Sequence, residues 1–150
     1  MKKLSLLDNK SMTSKSVKVI FDTNVWISFL IGKRLAKIKH HISDGNITII
    51  TTEQLLTEIR MVTSRQKLKK YFPQDSVNEL IDLLETIAVK VQIMPVHVLN
   101  RDPKDNFLLD LIDFSKADYL VTGDKDLLRH NSFKTAEILT PTEFEKRIEK

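Results

Sequence analysis

VKVIFDTNVWISFLI, running from Val17 to Ile31, joins two kinds of local order across one acidic residue. Val17–Phe21 is β-branched and aromatic except for Lys18, and reads as a buried strand. Val25–Ile31 reads as a helix that opens directly afterwards, with Asn24 as its N-cap. Asp22 stands between them, at the strand's end. A strand that runs straight into a helix is the alternation from which α/β folds are built.

The alternation continues outward from this segment. Leu35–Ser43 is a basic amphipathic helix closed by the turn Asp44-Gly45-Asn46, and Ile47–Ile50 is a second strand. Thr51 and Gln54 have capping-box spacing before a helix to Val62. Arg65–Tyr71 reads as a short basic helix stopped by Phe72-Pro73. Ser76 and Glu79 repeat the capping box before a helix to Ile87, and Ala88–Ile93 alternates like a strand. Asp102-Pro103 predicts the start of a helix to about Lys116. Tyr119–Thr122 and Ile138-Leu139 read as strands, and Thr140-Pro141-Thr142-Glu143 opens a terminal helix. No hairpin dipeptide separates the strands, so the expected sheet is mainly parallel.

The 150 residues fit a single domain, expected over 17–150, with residues 1–16 as a flexible polar leader. Absence of cysteine excludes disulfides, thiolate metal sites and cysteine nucleophiles, and fits a reducing cytoplasm. The apolar runs are too short to span a bilayer, so no membrane association is expected. A net charge of +4 favours a polyanionic partner, though weakly.

The acids point further. Asp22 and Asp124 each follow a predicted strand, and in open parallel sheets ligands bind beyond the strands' carboxyl ends. Capping of the next helix is the competing explanation for each. Asp105 shares a helical face with Leu108, Leu109 and Ile112, in a first turn whose dipole suits negative charge. Glu58 flanks the stripe Leu55, Leu56, Ile59 and Val62, where an exposed glutamate is the ordinary expectation. Two such charges about 5 Å apart repel by roughly 3 kcal/mol at an effective dielectric near 20. Four in one pocket need protonation or a hard divalent cation, for which carboxylate oxygen is the preferred ligand. Mg²⁺ or Mn²⁺ in such a place suits phosphodiester hydrolysis.

These motifs resemble the PIN-domain family. Ile20–Val25 with Ser28 looks like its opening, Glu58 its helical glutamate, Asp102–Asn106 its third acidic motif and Ala117–Leu128 its fourth. Ile138–Phe144 is similar to the subgroup of toxin components of toxin–antitoxin systems. The resemblance spans about Val17 to Ile148 and implies a three-layer α/β/α fold with a mainly parallel central sheet. It further implies a Mg²⁺- or Mn²⁺-dependent ribonuclease acting on RNA, often a homodimer inhibited by an antitoxin protein. By matched position, Asp22, Glu58, Asp105 and Asp124 become catalytic and metal-binding residues. Asn24, Thr122 and Asp126 become supporting residues that orient them.

Arg65, Lys67, Arg129 and Lys134 are loose candidates for RNA contacts, which would set affinity rather than sequence choice. His40, His41, His97 and His130 have no metal-ligand spacing, and Trp26 and Phe29 read as core. A haloacid-dehalogenase-like phosphatase also uses an aspartate after its first strand and a late Gly-Asp. It needs a second aspartate where Asn24 stands, and has no use for Glu58 or Asp105. A receiver domain places its aspartate after a middle strand, where Ile50 and Ile93 stand here. The remaining rival, a non-catalytic RNA-binding PIN module, has no need of a complete set of four acids.

Overall fold

The computed structural model describes residues 16–94 and 103–148, with the backbone alone for residues 103–105. The leader except for Ser16, together with His97 and Asp102, lies outside the described residues.

Six strands form one sheet: β1 (Val17–Phe21), β2 (Ile47–Thr51), β3 (Val89–Lys90), β4 (Tyr119–Val121), β5 (Ser132–Phe133) and β6 (Ala136–Leu139). Their order is β3-β2-β1-β4-β6-β5, parallel throughout except for the β5–β6 pair. The helices are α1 (Thr23–Ile31), α2 (Leu35–Ser43), α3 (Glu53–Thr63), α4 (Gln74–Thr86), α5 (Pro103–Ser115), α6 (Lys125–Leu128) and α7 (Pro141–Ile148). Gln66–Tyr71 is a 3₁₀ segment.

Strand alternation sends side chains to both faces of the sheet, and two cores result. Val19, Phe21, Ile47, Ile49, Val121 and Leu139 pack beneath α1–α4 and α7. Ile20, Ile50, Leu120, Ala136 and Ile138 pack beneath α5 and α6. Helices on both faces explain why β1 is almost continuously apolar, as central parallel strands are. This is the three-layer α/β/α arrangement with a mainly parallel sheet. Trp26 is fully buried and Phe29 nearly so, in an edge-to-face aromatic group with Phe21 that extends to Phe144. Both belong to the core, as expected. Among the described residues no helix is long and apolar enough to cross a membrane.

Several boundaries differ from the sequence reading. Thr51 completes β2 with its side chain buried, so α3 starts one residue later and the expected capping box does not form. Helix α4 starts after Pro73, which leaves Ser76 inside its first turn. The strand expected over Ala88–Ile93 pairs with β2 only at Val89 and Lys90. A β5–β6 hairpin is present where none was expected. Its turn residue Lys134 has φ +54, a conformation usually signalled by Gly or Asn, so the sequence carries no hairpin dipeptide. The capping box at Thr140 does form, with Thr140 and Glu143 exchanging backbone-to-side-chain bonds of 2.9 and 3.2 Å.

Candidate active site

The chain order turns around at β1: β2 and β3 lie to one side of it and β4 and β6 to the other. Such a switch point leaves a crevice at the carboxyl ends of the two central strands. Asp22 follows β1 there, and its amide is bonded at 3.0 Å to the carbonyl of Val121, the last residue of β4. Asp124 lies two residues beyond the same strand. The ladder between β1 and β4 therefore brings the two aspartates to one place.

Asp22 occupies the N-cap position of α1 with extended backbone, but its side chain makes no capping bond. Helix α1 begins at Thr23, not at Val25, and Asn24 is inside the first turn rather than at the cap. The Asp22 carboxylate instead accepts a 2.8 Å bond from the Thr122 hydroxyl, across 100 residues of sequence. Thr122 is fully buried, and its Oγ1 also accepts the Asp124 amide at 3.0 Å. One hydroxyl thus ties the two strand ends together. Asp124 does cap its helix, accepting the Asp126 amide at 2.8 Å.

Glu58 enters from α3, half-buried, and accepts a 2.6 Å bond from the Thr23 hydroxyl. Thr23 is itself buried, and the sequence reading passed over it in favour of its neighbour Asn24. Asn24 is exposed and makes no side-chain hydrogen bond among the described residues. The signal that could have found Thr23 is its place directly after the strand-end aspartate, facing inward with Phe21 behind it.

Burial pushes the Asp22 carboxyl above its ordinary range. Bonds from Thr122 and the Thr23 backbone pull it partly back, and the charges of Glu58 and Asp124 push it up again. Three carboxylates from three elements therefore sense one another here. The backbone of Asp105 lies in the first turn of α5, which leads toward the start of β4 and so begins at the same edge of the sheet. The side chain of Asp105 is outside the described set. Leu108, Leu109 and Ile112 are buried as expected, but so are Phe107, Asp110 and Leu111, so the helical face does not single out Asp105. Asp110, only 2% exposed, is a buried acid that periodicity did not mark.

The PIN-domain family profile matches residues 18–126. The chain belongs to the PIN-domain family. It is also 33% identical over 155 residues to an uncharacterized protein of Methanocaldococcus jannaschii, covering 94% of this chain and 97% of that one.

In this PIN domain, oxygen-only donors are the ligand type for a hard divalent cation, and a positive charge would relieve the pressure on Asp22. Among the described residues, no three acidic or histidine side chains already form a closed cage. The chemistry of the donors fits such an ion, with each described carboxylate anchored by a neighbour. The Asp126 carboxylate turns outward to Arg129 at 2.7 Å, and only its amide supports Asp124. Arg129 follows α6 and stays near the carboxyl edge. The other loose RNA candidates do not. Arg65 and Lys67 follow α3, which carries the chain back about 16 Å at 1.5 Å per residue. Lys134 turns between β5 and β6 at the opposite edge, beside Thr135, which bonds Ala117 ahead of β4.

Proposed function

We propose that this PIN-domain protein is a metal-dependent endoribonuclease that hydrolyses RNA phosphodiester bonds, taking Mg²⁺ or Mn²⁺ on Asp22, Glu58, Asp105 and Asp124. The observation that carries the reading is the meeting of Asp22, Glu58 and Asp124 at the β1–β4 switch point. Each is held by a separate hydrogen bond, from Thr122, Thr23 and the Asp126 amide respectively. Such outer contacts fix the direction of ligand oxygens before an ion arrives. Asp105, from the first turn of α5, completes the set in this reading.

A bound Mg²⁺ or Mn²⁺ supplies activation of water and stabilisation of charge on the phosphoryl oxygens. The chain's own work is positional. Thr122 sets the spacing of Asp22 and Asp124, and Thr23 sets the reach of Glu58. In the cell we assign the protein as the toxin of a toxin–antitoxin pair, held in check by an antitoxin and acting as a homodimer. That assignment is supported by the likeness of Ile138–Phe144 to the toxin subgroup.

Purified protein is expected to cleave RNA with Mg²⁺ or Mn²⁺, stop with EDTA, and lose activity in Asp22→Asn while keeping its circular dichroism spectrum. Undiminished cleavage by Asp22→Asn overturns the site. Release of phosphate from small monoesters without RNA cleavage assigns a phosphatase instead. A small reading frame beside the gene whose product abolishes cleavage supports the toxin role, and unchanged cleavage with that product counts against it.

A further inference from the structure

A cleft of about 700 Å³ opens directly beside the carboxylates, between the start of α3 and the end of β3. Its wall includes Glu58, so it is continuous with the proposed catalytic site. The remaining wall is polar: Thr52, Gln54, Thr57, Lys90 and Gln92 line it. Thr52 is 4% exposed and makes no capping bond to α3, unlike Thr140 at the start of α7. Lys90 reaches Glu53 at 3.0 Å, and Glu53 also meets Arg60. Both side chains of the Lys90–Glu53 pair are substantially exposed, so the pair is weak in water and a phosphate can take Lys90 from Glu53 at little cost.

We propose that this cleft is the subsite for the nucleotide next to the cleaved phosphate, and that it selects unpaired RNA. Lys90 contacts the flanking phosphate, and Gln54 and Gln92 meet the base edge. Side-chain amides offer a donor and an acceptor on one group, the pairing that bases present. In an RNA duplex the bases are stacked and paired, whereas single-stranded bases can splay out into a concave wall. The cleft therefore admits a strand that a helix cannot offer. This inference rests on the ribonuclease reading, and adds to it the conformation of the substrate and the residues that choose it.

The test uses the full-length chain. Binding of a fluorescent single-stranded RNA octamer and of an RNA hairpin is measured in Mg²⁺, in an Asp22→Asn background that prevents cleavage. The single strand should bind more tightly. Adding Lys90→Ala should weaken binding several-fold and lower the slope of log Kd against log salt by about 0.7, the value for one phosphate contact on a single strand. Glu53→Gln, which frees Lys90, should tighten binding, an effect that a merely structural ion pair does not produce. In the cleaving chain, Gln92→Ala should change the base preference beside the cut, read by sequencing products of a randomised pool. Equal binding of hairpin and single strand, or an unchanged salt slope in Lys90→Ala, overturns the cleft assignment while leaving the nuclease reading intact. Failure of the wild-type chain both to bind and to cleave RNA overturns both.

Discussion

Asp22 and Asp124 occupy matching places, each after a central parallel strand and each before a helix, yet their carboxylates are used differently. Asp124 caps α6, a helix of four residues. Asp22 precedes α1, a nine-residue helix buried along most of its length, and leaves it without a side-chain cap. Packing explains the contrast. Helix α1 is held by Val25, Trp26, Phe29 and Leu30 against the sheet, so its first turn needs little help. Its aspartate is available to Thr122 across the crevice. The short α6 buries only Leu127, and Asp124 stabilises its start as well as facing the site. Local grammar of strand, aspartate and helix is therefore compatible with two roles, and the tertiary neighbour decides between them.

The largest expected effect is on catalysis at the uncapped end. Asp22→Asn should reduce RNA cleavage on the order of a thousandfold. Asp124→Asn sharpens the contrast, because asparagine caps a helix as well as aspartate does. It should leave stability unchanged and lower cleavage on the order of a hundredfold in the same assay. If Asp124→Asn cleaves normally while Asp124→Ala loses about 1 kcal/mol in urea unfolding, Asp124 is a cap and nothing more.

Thr122→Val attacks the link between the two ends. Loss of the buried hydroxyl leaves the Asp124 amide without its acceptor and should cost about 1–3 kcal/mol in urea unfolding. Cleavage should fall roughly 10–100-fold as both carboxylates lose their spacing. A variant with full activity would show that the two strand ends work independently.

A smaller effect separates charge from structure at Asp22. Its raised pKa means that the native state holds the proton more tightly than the unfolded chain does. The group's contribution to stability is therefore best below the ordinary value of 3.8, and it declines as pH rises through the raised native value. Without metal near neutral pH, Asp22→Asn should raise Tm by on the order of 2 °C, a gain that fades in acid. Mn²⁺ at 100 times its Kd should reverse the order, stabilising the wild type by about 2.7 kcal/mol and the variant much less. Calorimetry with and without Mn²⁺ reads both signs.

The smallest effect lies away from both ends. Arg147 grips Glu137 with both terminal nitrogens, and that bond holds the Glu137 carboxyl below its ordinary range. Its stabilisation is present above the ordinary value of 4.5 and lost as pH falls through the lowered native value. The pair is half-exposed, so Glu137→Gln should lower Tm by less than about 2 °C at pH 7 and leave cleavage unchanged. A larger loss of activity there would extend the site well beyond the crevice.

Local signals were legible where they were strong. The apolar run Val17–Phe21, the turn at Asp44-Gly45-Asn46 and the capping box at Thr140 all appear where the residues place them. The start of α3 and the β5–β6 hairpin were not legible. Thr51 has the residue type of a cap but is drawn into β2 by strand pairing, and Lys134 adopts a turn conformation that its side chain does not advertise. Within the site, Asp22 and Asp124 could be found from strand ends. Thr23 could not, because its partner Glu58 lies 35 residues away on another helix. Lys90 was hidden for a similar reason, since only the packing of β3 beside α3 makes it part of a cleft.

By itself, the sequence determined the alternation of strands and helices and the position of an acid at the end of two strands. Periodicity, capping chemistry and β-propensity act over a few residues, and short segments carry them complete. Only the tertiary structure decided that β4 lies beside β1, that Thr122 holds Asp22 and that Thr23 holds Glu58. Those bonds cross 100 and 35 residues. They depend on strand register and helix packing, which the whole folded chain sets at once.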